Sequence, residues 1–350
     1  MRPRTDPPPE LMKWGDDGLL AILARVPWCS HGTARALCRR TRDLVRSKAF
    51  RKQRLASGYT EHGVVVAGGD RSFRATAECW LHAGGRWRSI APMSGPRADA
   101  CSVVLDGELW VLSGCDSAGT DLVTVERWCP EANRWRSGPS VLEARYRFVA
   151  GVVGDSLVVA GGFGDAGRLA SAEAFRPATG WTALPRMPYA VNLATSVVLG
   201  ERLYVAGGAG GRDDGVNGDK LQVWDGTAWT LRADLPAARQ QAASVAVDGK
   251  MWVIGGFVHG EGHSASVIVY DPETDRWTPG VPLPSYRSDC QATVEHTGCI
   301  LLVGGQCGEE ALPLRFQNGA WVETAVLPGG AAEGDERELQ SPCVACVVLG

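Results

Sequence analysis

The sequence predicts a mainly β fold: six four-stranded sheets set radially as a six-bladed β-propeller, preceded by a small α-helical module. Three columns of residues carry this reading. Apolar stretches ending in a pair of small residues recur six times, as VVVAGG (64–69), LWVLSG (109–114), LVVAGG (157–162), LYVAGG (203–208), MWVIGG (251–256) and LLVGG (301–305). Trp87, Trp135, Trp181, Trp229, Trp277 and Trp321 follow the same period, at steps of 48, 46, 48, 48 and 44. A third column, Trp80, Trp128, Phe175, Trp224, Tyr270 and Phe316, runs five to seven residues ahead of the second. The small pairs step by about 47 residues, within the range of propeller-blade repeats.

Each unit offers four short strands, A to D. In the second unit A is 100–105, a turn at Asp106-Gly107 leads to B at 109–114, C carries Trp128 and D carries Trp135. Asp-Gly between two apolar runs is a hairpin signal. A single sheet of this kind cannot bury both faces, whereas six packed radially can. The small pair lets backbones approach where sheets crowd together and accepts positive φ. The aromatic columns fill the space between neighbouring sheets. Trp224-Asp225 resembles a WD dipeptide, but it aligns with Tyr270-Asp271 and belongs to the longer repeat. The ring spans 61–350. Its last residues, SPCVACVVLG (341–350), resemble DACSVVLDG (99–107), so a C-terminal strand at about 342–349 is expected to supply strand A of the first blade.

The first sixty residues differ in kind. They hold 13 Lys and Arg against 5 Asp and Glu, while the remainder holds 23 against 34. That asymmetry places a boundary near residue 60. Residues 1–10 read as a disordered terminus and 11–60 as a helical module. Leu19, Leu20, Ile22, Leu23 and Val26 give one face of a first helix, with Asp16 and Asp17 suited to its start and Pro27 to its end. A second helical stretch runs from about Thr33 to Val45. A core this small is marginal alone, and a partner covering its apolar face would stabilise it.

Several functions find no support in the sequence. The large acidic remainder would repel a phosphate backbone, so no nucleic-acid partner is expected. No apolar run approaches the length of a membrane helix, and the first residues lack the apolar core of a secretory signal. The eleven cysteines, an odd number, then read as reduced thiols in the cytoplasm or nucleus. Cys343 and Cys346 have the spacing of half a zinc site, but they fall in a strand, where positions i and i+3 face opposite sides. His259 and His263 flank Glu261 in a glycine-rich loop, a poor frame for a metal. No phosphate-binding Gly loop and no GxSxG elbow is present. No cofactor and no catalytic residue is expected.

The small-pair, aromatic and Trp pattern over 64–350 resembles the kelch repeat, with Ser113 in place of the first Gly in the second blade. The preceding stretch resembles an F-box through Ile22-Leu23-Ala24-Arg25-Val26-Pro27, Leu37-Cys38-Arg39-Arg40, Asp43-Leu44-Val45 and Phe50. It departs at Trp14-Gly15, where a Leu-Pro usually opens the motif, and at Thr41, where a Trp is usual. The combination resembles plant F-box/kelch proteins, the substrate receptors of SCF-type cullin–RING ubiquitin ligases. The resemblance implies a Skp-type adaptor, and through it cullin, docked near Trp14, Leu19, Leu20, Leu23, Val26, Pro27, Leu37, Cys38 and Leu44. It also implies a protein substrate, such as a phenylpropanoid or flavonoid enzyme or a hormone-response regulator, bound for ubiquitination and degradation. Two alternatives stay open: a kelch scaffold that does not bind the adaptor, and a propeller enzyme.

The substrate face is expected where strand A begins and strand B ends. Alignment of the units by their A–B turns puts Arg97, Arg145, Val191, Arg239, Arg287 and Gln340 in one column, with Arg147 two positions further on in its own blade. These arginines are expected at the mouth of the central channel, where they either grip carboxylates of an acidic substrate or bond a neighbouring blade. Asp70, Asp116, Asp165, Asp213, Asp214, Glu261, Glu309 and Glu310 form an acidic outer rim. The long loop 209–220 is placed to contribute specificity.

Overall fold

The computed structural model of the chain describes residues 15–26, 38–45, 47–57, 61–71, 74–209, 217–306, 312–324 and 342–349. Three short helices come first: α1 Asp16–Leu23, α2 Arg39–Val45 and α3 Lys48–Ser57. Leu19, Leu20, Leu23 and Ala24 pack against Val45 and Phe50, with Leu44 at the edge of the cluster. The third helix was not separated by sequence, because its many polar residues hide its buried anchors, Phe50 and Arg54. Arg54 is 1% exposed and donates from Nη1 to the carbonyls of Ala24 (3.0 Å) and Val26 (2.6 Å), just past the end of α1. A cation there satisfies orphan carbonyls and complements the helix dipole. Arg40 pairs with Asp16 at 2.7 Å and ties α2 to the first turn of α1.

Thr41 is fully buried at the start of α2. Its hydroxyl accepts from the Cys38 amide (3.3 Å) and donates to the Cys38 carbonyl (3.1 Å). The expected second helix from about Thr33 is present from Arg39, and its earlier part lies outside the described residues.

Six antiparallel four-stranded sheets follow. In strand order A to D, blade 1 is Cys343–Leu349, Glu61–Ala67, Cys79–Ala83 and Arg86–Ser89. Blade 2 is Cys101–Leu105, Glu108–Leu112, Val125–Cys129 and Arg134–Gly138; blade 3 is Val149–Val153, Ser156–Ala160, Ala172–Arg176 and Gly180–Leu184. Blade 4 is Thr195–Leu199, Arg202–Ala206, Leu221–Trp224 and Trp229–Arg232. Blade 5 is Ala243–Val247, Lys250–Ile254, Val267–Asp271 and Arg276–Pro279; blade 6 is Gln291–Val294, Ile300–Val303, Leu314–Gln317 and Ala320–Glu323. Each strand A contacts the strands A on both sides, and the sequence of contacts returns from blade 6 through blade 1 to blade 2. The ring closes through the C-terminal strand, whose residues run antiparallel to 61–67, from Glu61↔Leu349 to Ala67↔Cys343.

Strand B is buried on both faces, as in Glu108–Leu112 and Ser156–Ala160, because each blade packs between two others. The core is therefore a series of interblade clusters, such as Val103, Trp110, Leu112 and Val125 of blade 2 with Phe148, Leu157, Val159 and Phe175 of blade 3. The two aromatic columns meet there, with ring centroids 5.5 Å apart for Phe175 and Trp181 and 5.1 Å for Tyr270 and Trp277. The Trp column also hooks blades 2 to 6 to the connection before each. Trp135 donates its indole N–H to Ala91 O (2.7 Å), Trp181 to Pro139 O, Trp229 to Pro185 O, Trp277 to Ala233 O and Trp321 to Val281 O. Each bond contributes about 1 kcal/mol and fixes the blade spacing.

The small pair is required by contact. At Gly255 φ is +63°, and a Cβ would lie 2.3 Å from the Arg287 carbonyl oxygen. Ser113 tolerates the same left-handed region at φ +50°, because its hydroxyl donates to Leu122 O and accepts from the Arg145 amide at 3.2 Å.

Candidate binding face

The column arginines stand where strand A enters its blade, and each turns its head back into that blade. Arg97 donates to the carbonyls of Ser113 (2.6 Å) and Thr124 (2.9 Å). Arg145 donates to Gly161 O (2.7 Å) and Ser171 O (3.3 Å), Arg239 to Gly255 O (2.7 Å) and Ser266 O (3.0 Å), and Arg287 to Leu312 O (2.8 Å). These carbonyls lie past the end of strand B and before strand C; those of Thr124, Ser171 and Ser266 already accept one backbone amide each and keep a second lone pair. The guanidinium fork satisfies them. Their exposures, 3%, 1%, 6% and 2%, leave no head at the surface. The expectation that Arg97, Arg145, Arg239 and Arg287 meet a substrate is therefore corrected: they clamp the blade ends, each within its own blade. Burial also pushes the Arg239 guanidinium below its ordinary pKa, opposed by Glu261.

Two of the clamps carry a buried counter-ion. Arg97 lies 3.4 Å from Glu126 and Arg145 3.0 Å from Glu173. Those carboxylates also accept from backbone amides of the incoming loop, Ser94 at 2.9 Å and Leu142 at 2.7 Å. In blade 4 the cation is replaced by Val191 and the carboxylate position by Gln222, which accepts from the Tyr189 amide at 2.9 Å. Blade 4 thus lacks both charges, whereas blades 5 and 6 keep Arg239 and Arg287 with Ile268 and Arg315 at the carboxylate position.

Two positions beyond the column lies the mouth of the channel. Asp99, Arg147, Leu193, Gln241 and Asp289 all have φ between +52° and +57°. Each amide from Arg147 onward donates to the carbonyl of the preceding member, every link being 2.9 Å. Arg147 Nε lies 3.0 Å from Asp99 Oδ2, and the Gln241 amide donates to Asp289 Oδ2 at 2.7 Å. The cavity they line with Phe148 and Cys290 is about 60 Å³. That is far below the ~300 Å³ at which ligand pockets begin. A ligand of this mouth therefore lies on it, not in it.

Arg147 is the one expected substrate residue whose side chain remains accessible, at 40%. Burial lowers its affinity for its proton, and Asp99 and Asp289 more than restore it, so its pKa lies above the ordinary value. Beside it Tyr146 packs on Phe163, with ring centroids 5.6 Å apart. Across the face Tyr286 is 43% exposed and stacks on His263, which in turn meets Phe257 edge-on. A cleft of about 390 Å³ opens nearby, between Gln240, Phe257 and His259. These aromatics escaped the sequence reading, although Tyr146 and Tyr286 each adjoin a column arginine. The His259–Glu261–His263 group is not poised around an ion, since His263 Nδ1 sits 2.8 Å from Ser288 Oγ. Among the described residues no three His, Cys, Asp or Glu side chains converge as a metal site.

On the rim, Asp116 accepts the amides of Ala118 and Thr120, which hold its carboxyl below the usual carboxylate range. Burial and Asp165 push Asp121 up. Asp213, Asp214, Glu309, Glu310, Gln340 and most of the 209–220 loop lie outside the described residues.

In the helical module, Leu19, Leu20, Leu23 and Cys38 are interior, between 0% and 8% exposed, so the expectation that they face an adaptor is corrected. The three leucines sit where the helices meet, and Cys38 bonds with Thr41. Val26 and Leu44 are half-buried, and Ile22 is 44% exposed. Trp14, Pro27 and Leu37 lie outside the described residues. The Cys343 and Cys346 side chains do as well.

The kelch motif matches residues 96–142, 144–188 and 238–284. Kelch-like protein 35 of Mus musculus is 29% identical over 250 residues, covering 69% of this chain and 41% of that protein. An F-box/kelch-repeat protein of Arabidopsis thaliana is 30% identical over 203 residues, covering 55% of this chain and 53% of the relative. The chain spans less than half the length of the Kelch-like relatives it matches. The solved structure of YjhT superposes with a TM-score of 0.58 at 15% identity, over 80% of this chain and 96% of that one, a likeness of fold. The matched motifs and the six repeating sheets identify a kelch-repeat protein.

Proposed function

We propose that the chain is the substrate-recognition subunit of an SCF-type ubiquitin ligase. In this reading the helical module docks a Skp-type adaptor, and through it cullin, and the kelch face selects a protein for ubiquitination. The observation that carries it is the three-helix module placed directly before a kelch ring, in a chain with F-box/kelch-repeat relatives. The 60 Å³ mouth supports a macromolecular ligand there over a small one, and the half-buried Tyr146 beside Arg147 with the exposed Tyr286 across the face suits a protein interface. The receptor needs no catalytic group or cofactor, because it acts by raising the local concentration of substrate. It would work in the cytoplasm or nucleus, with neither nucleic acid nor membrane as partner. A phenylpropanoid or flavonoid enzyme, or a hormone-response regulator, is the substrate type that the resemblance implies.

The adaptor surface in this reading is Ile22 with the half-buried Val26 and Leu44, since the other leucines hold the module together. The test is binding of the full chain to a Skp adaptor beside Ile22→Asp, which changes an exposed residue. Micromolar or tighter binding, lost in a variant of unchanged melting temperature, supports the reading. No binding by the intact chain refutes it. That outcome would favour the second reading, a kelch scaffold without an adaptor, which the self-contained Thr41 and the interior leucines motivate.

A further inference from the structure

Three of the chain's six histidines, His62, His82 and His296, line one cleft of about 490 Å³. It lies at the end of the ring where A turns into B and C into D, opposite the arginine column. It also lies at the seam between blades 6 and 1, where the ring is closed by the C-terminal strand. His62 is on strand B of blade 1, opposite Val348 of that strand. His296 is in the A–B turn of blade 6. The two rings stack across the seam, 5.0 Å between centroids and 7° from parallel. His82, on strand C of blade 1, leans on Trp87 with centroids 4.9 Å apart.

Turn geometry does not call for these residues. The positions that match His296 in blades 2 to 5 are Asp106, Gly154, Gly200 and Asp248, and those that match His62 are Gly107, Asp155, Glu201 and Gly249. The other titratable groups lining the cleft are Glu295, Arg315 and Cys299 of blade 6. Glu295 is held by Arg315 at 2.8 Å. On blade 1 Arg86 faces Ala83 across the C–D hairpin, and Cys343 and Cys346 lie on strand A.

Protons are unwelcome here. Burial lowers the proton affinity of His62, and the neighbouring His296 lowers it further. Burial also lowers that of His82, with Glu295 opposing and Arg315 adding. Free histidines titrate near 6.5. The unfolded chain therefore binds more protons than the folded seam below about pH 6.5, and stability at the seam is lost as the pH falls from there. A proton on His62 would set a charge against the His296 ring 5.0 Å away across the closure. We propose that this cleft is a proton-operated latch: on acidification, protons taken up by His62, stacked on His296 across the seam, and by His82 loosen blade 1 from blade 6 and open the ring at its closure.

The test is hydrogen exchange of the full chain at pH 7.5 and 5.5, corrected for the intrinsic pH dependence of exchange. The expected result is about tenfold faster exchange at pH 5.5 in 61–67, 79–83 and 343–349, with 156–160 in blade 3 unchanged. In His62→Gln/His296→Gln the blade 1 response should shrink below twofold. If that variant fails to fold, His82→Gln should show a smaller response than the parent chain. A uniform response over all blades, no response, or a full-size response in either variant would overturn the proposal.

Discussion

Arg145 separates the two uses a column arginine can have. Its side chain is 1% exposed, and it lies within hydrogen-bond distance of Gly161 O, Ser171 O, Ser171 Oγ, Glu143 and Glu173. In Arg145→Met two blade-end carbonyls lose this donor, and Glu173, 3% exposed, loses its cation. Removing one partner of a buried ion pair costs about 3–5 kcal/mol. For a ring of this size that corresponds to a fall in Tm of roughly 6–15 °C. Arg145→Lys keeps the charge but loses the fork, so it should recover only part of the loss. The sharper control comes from the protein itself. Blade 4 has Val191 where the arginine stands and Gln222 where the carboxylate stands. The double variant Arg145→Val/Glu173→Gln should therefore be less destabilised than Arg145→Val alone, by about 1–2 kcal/mol, since no buried charge is left unpaired. Thermal and denaturant unfolding read all four variants. A Tm within 1 °C of the parent for Arg145→Met, or a double variant no more stable than Arg145→Val, would refute the argument.

Other consequences follow from the same geometry. Gly255→Ala places a Cβ against the Arg287 carbonyl at a positive φ, and should cost about 2 kcal/mol or more in denaturant unfolding. Deleting 343–350 removes strand A of blade 1 and strips the partner from 61–67, so the whole ring, not one blade, should lose cooperativity in calorimetry. Burial pushes the Cys290 thiol up to about 12 and that of Cys115 to about 11, so neither should react with a thiol reagent at pH 8 until the chain unfolds; mass mapping of the labelled cysteines checks this.

The ring was legible in the sequence because its constraints are local and repeated. A hairpin such as Asp106-Gly107, a small pair at every strand end and an aromatic at a fixed offset each act within one blade or between neighbours. Even closure could be read, since 341–350 imitates 99–107. The direction of side chains was not legible. A column of arginines at a ring mouth looks the same in sequence whether its heads reach solvent or fold back onto carbonyls. Only blades 2 and 3 add a carboxylate, Glu126 or Glu173, at a fixed offset from the arginine, so the sequence held a hint for two of the four clamps and none for Arg239 and Arg287. The same limit applied to the helices. A 3.6-residue period marks one apolar face, but Leu19, Leu20 and Leu23 serve a core of only three helices, and Ile22 alone of that stripe is well exposed. Arg54 could not have been found, since its partners are backbone carbonyls thirty and twenty-eight residues away.

The central claim is that one chain joins an adaptor at its helices to a protein held on the kelch face. The most direct measurement is quantitative affinity capture from cells in which the proteasome is inhibited, comparing the parent chain with Ile22→Asp and with Arg147→Ala/Tyr286→Ala. The account predicts that Ile22→Asp loses the adaptor and cullin while keeping a distinct captured protein. The face variant should keep the adaptor and lose that protein. Loss of both from either folded variant, or a parent chain that captures no adaptor, would contradict it.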